Sequence, residues 1–215
     1  MEHQSVKQQV YDTVLDNIFY GVYTPDTVLV DRALAEELGV SRSTVRSVLQ
    51  NLCVEKLLVK DPECGYRLPV LTKEDIRELI EYRVMLEVAS LEKTIKIIRP
   101  EELEELITYT EESRPLSKDP DIMNHWENNK KFHLLLCKFS HNQFLYRALE
   151  SNIKFCSLLM NRYFKERWDT KTMTQVMDHI AIARAIKGRD MENAVEMLKE
   201  DIASMWEDAL SEEEV

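Results

Sequence analysis

The chain has 215 residues, 44% hydrophobic and 31% charged, with only 4 glycines and 6 prolines. That balance excludes a disordered tail and a fibre, and the shortage of turn residues beside recurrent Leu, Glu, Lys, Met and Ala predicts helix over sheet and excludes a β-sandwich. A formal net charge of −11 would repel nucleic acid if spread evenly, so a DNA-binding surface requires a local reversal of sign.

Cys53, Cys64, Cys137 and Cys156 lie too far apart for a paired-thiolate zinc knuckle, and no basic-then-apolar leader opens the chain. Both points predict a reducing, cytoplasmic setting. No apolar run approaches the roughly 20 residues that a bilayer crossing takes, so no membrane partner is expected. The character of the sequence changes near residue 70, which predicts two domains, 1–70 and 71–215.

In the first domain, Asp31 to Leu38 predicts a short helix, Gly39 a tight turn, and Ser41 the cap of a second helix running to about Glu55. This is a helix-turn-helix. Val40, Val45, Val48, Leu49 and Leu52 fall on one face for burial, while Arg42, Ser43, Thr44, Arg46 and Ser47 project from the amino-terminal end, the part that enters a major groove. Arginine presents a planar fork to guanine or phosphate, and hydroxyls such as those of Ser41, Ser43 and Thr44 serve either partner. An arginine pair four residues apart is otherwise an ordinary solvated face. The domain as a whole carries 7 basic and 10 acidic side chains, but between Ser41 and Lys60 stand Arg42, Arg46, Lys56 and Lys60 against Glu55 alone.

After Leu57-Leu58-Val59, the turn-rich Asp61-Pro62-Glu63-Cys64-Gly65 and the alternating Tyr66 to Val70 predict a two-stranded hairpin. Leu34 to Arg42, Val45-Arg46, Leu49, Glu55 to Val59 and Gly65-Tyr66 together resemble the winged helix-turn-helix of the GntR family of bacterial transcription regulators, over about a third of the chain. The resemblance implies that Arg32, Arg42 and Arg46 meet operator DNA and that Gly65 sits at a wing tip reaching toward the minor groove. Two positions depart from the family pattern. Thr44 stands where proline is usual, and Asp26-Thr27 follows Pro25 where a glycine is usual.

From Thr72 onward nearly everything predicts helix. Thr72 is an N-cap with Glu74 and Asp75 in the first turn, and Leu79, Tyr82, Val84, Met85, Leu86, Val88, Ala89 and Leu91 continue an apolar pattern. Pro100 restarts a helix. Breaks at Ser113 to Pro120, Ser140 to Asn142, Trp168 to Thr170 and Gly188 to Asp190 leave about six helices, and Glu212 to Glu214 form a solvated end. Phe139, Phe155, Met160, Tyr163 and Trp206 are assigned to core or pocket wall. The fold class expected is mainly α: a winged helix-turn-helix followed by an all-α antiparallel bundle.

Asn129 and His133 share one helical face, and His179 and Asp201 lie on later helices. A bundle can bring such side chains to one cation, with zinc, nickel, manganese and iron all suited to this donor set. A lone buried histidine is more often a hydrogen-bonded core residue, and both readings stand on spacing alone. Asn129 to His133, Ser140 to Asn142, Asp178 to Ile180, Ala185 to Asp190 and Ala194 resemble the FCD effector domain of the FadR-like branch of the same family. The resemblance now covers essentially the whole chain. It implies a metal set at Asn129, His133, His179 and Asp201, where the family has Asp, His, His and His, so two of four are changed and the ligand charge is preserved. Some relatives bind effectors without metal. His125, one turn before Asn129, is a reserve ligand. Arg83, inside an apolar stretch, needs an anionic partner. Glu87, four residues on, is the structural candidate, and the family's matching arginine implies a grip on an effector carboxylate.

The function expected is a ligand-responsive transcription repressor acting as a homodimer on double-stranded operator DNA and binding a small organic acid. Two rivals remain at this level. One is a metal-dependent all-α enzyme acting on a small carboxylate, for which no base and nucleophile pair stands out. The other is a winged helix that docks a protein.

Overall fold

The computed structural model describes residues 5–113, 121–164 and 179–211 and divides into two compact units, Met1–Leu71 and Thr72–Val215. The side chain of Tyr163, the break at Trp168 to Thr170 and the acidic end Glu212 to Glu214 lie outside the described residues.

The first unit begins with α1 (Val6–Phe19), which the sequence reading missed although Ser5 caps it and Val10, Val14 and Ile18 recur at helical spacing on its buried face. α2 (Asp31–Leu38) and α3 (Arg42–Val54) follow, joined through Gly39 at φ 65°, a left-handed cap that glycine adopts without steric cost. α1 and α2 both pack on α3, whose Val45, Val48, Leu49 and Leu52 are fully buried. The Tyr11 hydroxyl donates to Glu55 Oε2 at 2.7 Å and ties α1 to the end of α3.

β1 (Val59–Asp61) and β2 (Gly65–Arg67) form the antiparallel wing, with Lys60 opposite Tyr66. Leu29 pairs with Tyr66 through two backbone bonds, so the wing is anchored to the segment before α2. Gly65 takes φ 133°, and a Cβ there would stand 2.5 Å from the Leu29 carbonyl oxygen. The exposed turn of the wing is Pro62, Glu63 and Cys64, and Gly65, which closes that turn opposite Asp61, is half-buried where backbone meets backbone.

In the second unit, α4 (Lys73–Ile97) opens on a capping box in which Thr72 and Asp75 satisfy each other's backbone N–H. α5 (Pro100–Ser113), α6 (Ile122–Lys138), α7 (Gln143–Phe164), α8 (His179–Lys187) and α9 (Met191–Ser211) complete six helices among the described residues. α4 packs against α6, α7 and α9, and α8 against α5 and α9. Leu91, Ile95, Leu106, Phe132, Leu136, Phe139, Ile182, Ile186, Leu198 and Ile202 form the core. Phe139, Met160 and Trp206 are buried and Phe155 half-buried, in keeping with their assignment.

The face that α4 buries takes only part of the apolar pattern read from the sequence. Tyr82, Met85 and Ala89 are exposed, whereas Arg83, Glu87, Ser90 and Thr94 are buried beside Leu86 and Leu91. Charged groups tolerate that position because they pair with each other.

At the start of α5, Glu102 accepts from the Arg99 backbone N–H at 3.1 Å and from Arg99 Nη2 at 2.5 Å, and lies 3.1 Å from His141 Nε2 in the α6–α7 corner. The Arg99 side-chain bond is the chief cause that holds the Glu102 carboxyl down to about 2 from its ordinary 4.5, with burial opposing it. A depressed carboxyl contributes stability above its unfolded pKa and loses it as pH falls through the folded one. The stability of the full chain should therefore fall as pH drops from about 4.5 to 2, in part through Glu102, and Glu102→Gln should flatten the dependence of the urea midpoint on pH over that window. Gly65→Ala is expected to cost about 1–3 kcal/mol through backbone strain alone, read by the same urea unfolding.

Candidate functional site

Two clusters stand out, one in each unit. In the first, Ser41 Oγ caps α3 by accepting from the Thr44 N–H at 3.1 Å, and also meets the Ser43 and Thr44 hydroxyls at 2.9 and 2.8 Å. A proline at position 44 would have no N–H to give this cap. Three hydroxyls are thereby gathered at the positive end of the helix, where the backbone dipole favours an anion.

Arg42 and Arg46, one turn apart on α3, both reach Asp31 at the start of α2: each Nε lies 2.8 Å from a different oxygen of that carboxylate. Their side chains remain 58% and 48% exposed, and Asp31 is 11% exposed. Pairing through Nε leaves the Nη edge of each guanidinium out of the contact. The carboxylate thus fixes both stems while the forks face water. Burial pushes the Asp31 carboxyl up, but the bonds from Arg46 and Arg42 outweigh it and hold the group below its ordinary value. Arg32, one residue after Asp31, is exposed and pairs only loosely with Glu36 across 3.1 Å on the surface.

In the second unit, His133 on α6, His179 at the start of α8 and Asp201 on α9 converge, all buried, with one donor atom of each within 4.8 Å of the others. His133 Nε2 lies 3.0 Å from Asp201 Oδ2, and His179 Nε2 lies 3.6 Å from Asp201 Oδ1. None of these four atoms makes a hydrogen bond, although all are sealed from solvent. Phe132 stacks on His179 with centroids 3.8 Å apart and fixes that ring. Asn129 is buried one turn before His133 on α6, and His125 is buried a further turn back.

Glu87 is the residue that sequence reasoning passed over as a functional group. Its Oε1 accepts from Arg83 Nε at 2.6 Å and its Oε2 meets His133 Nδ1 at 2.5 Å. Both Glu87 and Arg83 are almost wholly buried, at 2% and 1% exposed. With Nδ1–H donating to Glu87, the Nε2 lone pair of His133 faces the Asp201 carboxylate, an arrangement that needs a proton or a cation between the two atoms. Burial works against charge throughout the cluster, but neighbouring opposite charges win at most positions. Glu87 is held below its ordinary value by His133 and Arg83, Asp201 by the two imidazoles, and His133 is raised chiefly by Glu87. His179 is the exception, lowered by burial more than Asp201 restores, which favours the neutral ring that ligates metal.

The two expected roles of Arg83 both have an atom available. Nε is committed to Glu87, while Nη2 is buried with no hydrogen-bond partner, and the guanidinium lies 5.7 Å from the Trp126 ring centre. A helical unit enclosing convergent donors, joined in one chain to a winged helix that displays paired arginines, is the organisation of a two-part regulator that reads DNA with one half and responds to a ligand through the other.

The sequence comparisons agree with that class. Residues 6–67 match the model of bacterial regulatory proteins of the gntR family, and residues 78–204 match the FCD domain. The chain is 31% identical over 193 residues to YdhC, an HTH-type transcriptional regulator of Bacillus subtilis (strain 168), covering 86% of this chain and 83% of that one. It is 26% identical to the gluconate operon transcriptional repressor of the same organism over 190 residues, 86% of this chain and 76% of the relative. Among solved structures, Escherichia coli McbR/YncC has TM-score 0.77 at 21% identity, covering 94% of this chain and 96% of that one. The chain belongs to the GntR family and carries an FCD domain, and the family consists of transcriptional regulators and not enzymes. No helix among the described residues is long and apolar enough to cross a membrane.

Asp31→Ala should raise affinity for unrelated duplex at low salt, since a negative charge beside the arginines is removed, and should narrow the ratio between selected and unrelated sequence because the forks lose their anchor. Fluorescence anisotropy on the two duplexes measures both quantities.

Proposed function

We propose that this chain is a repressor that binds a roughly palindromic operator as a homodimer and responds to a small organic acid held in its helical unit. The observation that carries the DNA half is the pair of guanidinium groups of Arg42 and Arg46, fixed by Asp31 yet exposed at the start of α3. Arg46 and Arg42 read base edges, Ser41, Ser43 and Thr44 bind phosphate or base, and Arg32 adds a phosphate contact from α2. One such helix makes too few contacts for tight specific binding, so two copies spaced about 34 Å apart read successive major-groove faces. Glu63 at the exposed wing turn is repelled by phosphate, which leaves most of the reading to α3.

In the helical unit, His133, His179 and Asp201 suit a divalent cation: their buried donor atoms converge without hydrogen bonds, and imidazole with carboxylate fits zinc, nickel, manganese or iron, with Asn129, buried one turn before His133, as the proposed fourth donor. Such a cation would act as a Lewis-acid anchor for an effector carboxylate. Arg83 supplies the complementary contact through Nη2, and the buried surroundings keep water from competing. The relative that is a gluconate operon transcriptional repressor supports the sign of the regulation. A coupling of about 1–3 kcal/mol between effector and DNA sites is enough to change operator affinity five- to 150-fold.

Selection of binding sites from a random duplex library by the full chain tests the reading. The expected result is a two-fold symmetric sequence bound by a dimer. Arg46→Ala should then lose about 1–3 kcal/mol on that sequence and relax its preference at one position in each half-site. Enrichment of no sequence, or binding unaffected by Arg46→Ala, overturns the assignment. Elemental analysis of the protein as isolated, compared with His179→Ala, tests the cation: a stoichiometric divalent metal is expected in the former only.

A further inference from the structure

We infer that Glu87 is the positioning residue of the donor cluster: it holds His133 in the one tautomer that presents Nε2 to a cation, and it shares its second oxygen with Arg83. The inference rests on the metal reading above. A carboxylate against the far nitrogen of a ligating imidazole orients the ring and strengthens it as a donor, and loss of such a partner weakens metal binding about 10- to 100-fold.

The geometry leaves Glu87 no free oxygen with which to act as a ligand itself. Both of its oxygens are taken, one by Arg83 Nε at 2.6 Å and the other by His133 Nδ1 at 2.5 Å, so it does not reach the space between His133 Nε2, His179 Nε2 and Asp201. It approaches from α4, whereas the three donors come from α6, α8 and α9. Its place also explains why α4 buries a charged face: a carboxylate that must orient an imidazole in a dry interior keeps its charge only with a cation beside it, and Arg83 one turn earlier supplies that cation. The arginine is then fixed through Nε, with Nη2 left over.

Glu87→Gln is nearly isosteric but cannot satisfy both neighbours. If its amide oxygen faces Arg83, its NH2 donates to His133 Nδ1 and forces the ring proton onto Nε2, where it blocks the donor. If the amide is turned the other way, NH2 opposes the Arg83 N–H. Glu87→Asp keeps the acceptor chemistry on a shorter stem.

The test is zinc binding by the full chain stripped of metal, titrated against a competing chelator. The expected result is tight binding by the wild type, a 10- to 100-fold loss in Glu87→Gln and a partial recovery in Glu87→Asp. Circular dichroism on each variant verifies folding. Equal zinc affinity in the wild type and Glu87→Gln overturns the inference while leaving the metal reading intact. Absence of zinc, nickel or manganese binding by the wild type overturns both. Nitrogen-15 spectra of the histidine rings in the zinc-loaded wild type give a second readout that needs no variant: Nδ1 of His133 should carry the proton, and a zinc-bound Nδ1 or a proton on Nε2 defeats the proposal.

Discussion

A carboxylate buried between a guanidinium and an imidazole sets most of what the helical unit can do. Glu87 could not remain charged in that interior without Arg83, and without Glu87 neither Arg83 nor His133 would have a fixed orientation. Ion pairs of this kind add little net stability compared with apolar side chains of similar volume, yet breaking one is costly. Their effect in the middle of α4 is therefore to fix side-chain orientation, while Leu91, Ile95, Phe132, Leu136 and Leu198 supply the apolar core.

The amino-terminal unit uses the same device at its surface. Asp31 holds Arg42 and Arg46 by their inner nitrogen atoms, just as Glu87 holds Arg83. In each case a carboxylate on one helix takes the Nε of an arginine and leaves the terminal nitrogens for something outside the pair. The difference lies in solvent. Arg42 and Arg46 lie in water, where pairing with Asp31 is weak in energy but still narrows the rotamers sampled, whereas Arg83 is enclosed and its Nη2 is left with an unmet hydrogen-bonding need. The first arrangement suits a surface that binds a polyanion reversibly, and the second holds a buried donor whose partner the fold does not supply.

The helix-turn-helix was legible because its signals are local: Gly39 for a left-handed turn, Ser41 for a cap, and apolar residues at helical spacing through Val45, Val48, Leu49 and Leu52. His133, His179 and Asp201 were legible as candidates through the family resemblance. Glu87 was not, because nothing in the order of residues distinguishes a glutamate four places from an arginine on a solvated helix from one that reaches across to another helix 46 residues later. The steric demand for glycine at position 65 was hidden for a related reason. It comes from the Leu29 carbonyl, a contact made by a distant stretch of chain.

The sequence by itself determined the helical class, the reading helix with its cap and arginines, and the type of donors available for a cation, since each depends on interactions within a few residues. Tertiary structure alone decided which face of α4 is buried, that Asp31 gathers two arginines, and that one carboxylate serves both Arg83 and His133. Burial and pairing of charge depend on which helices meet, and that is a property of the packed chain and not of any one segment.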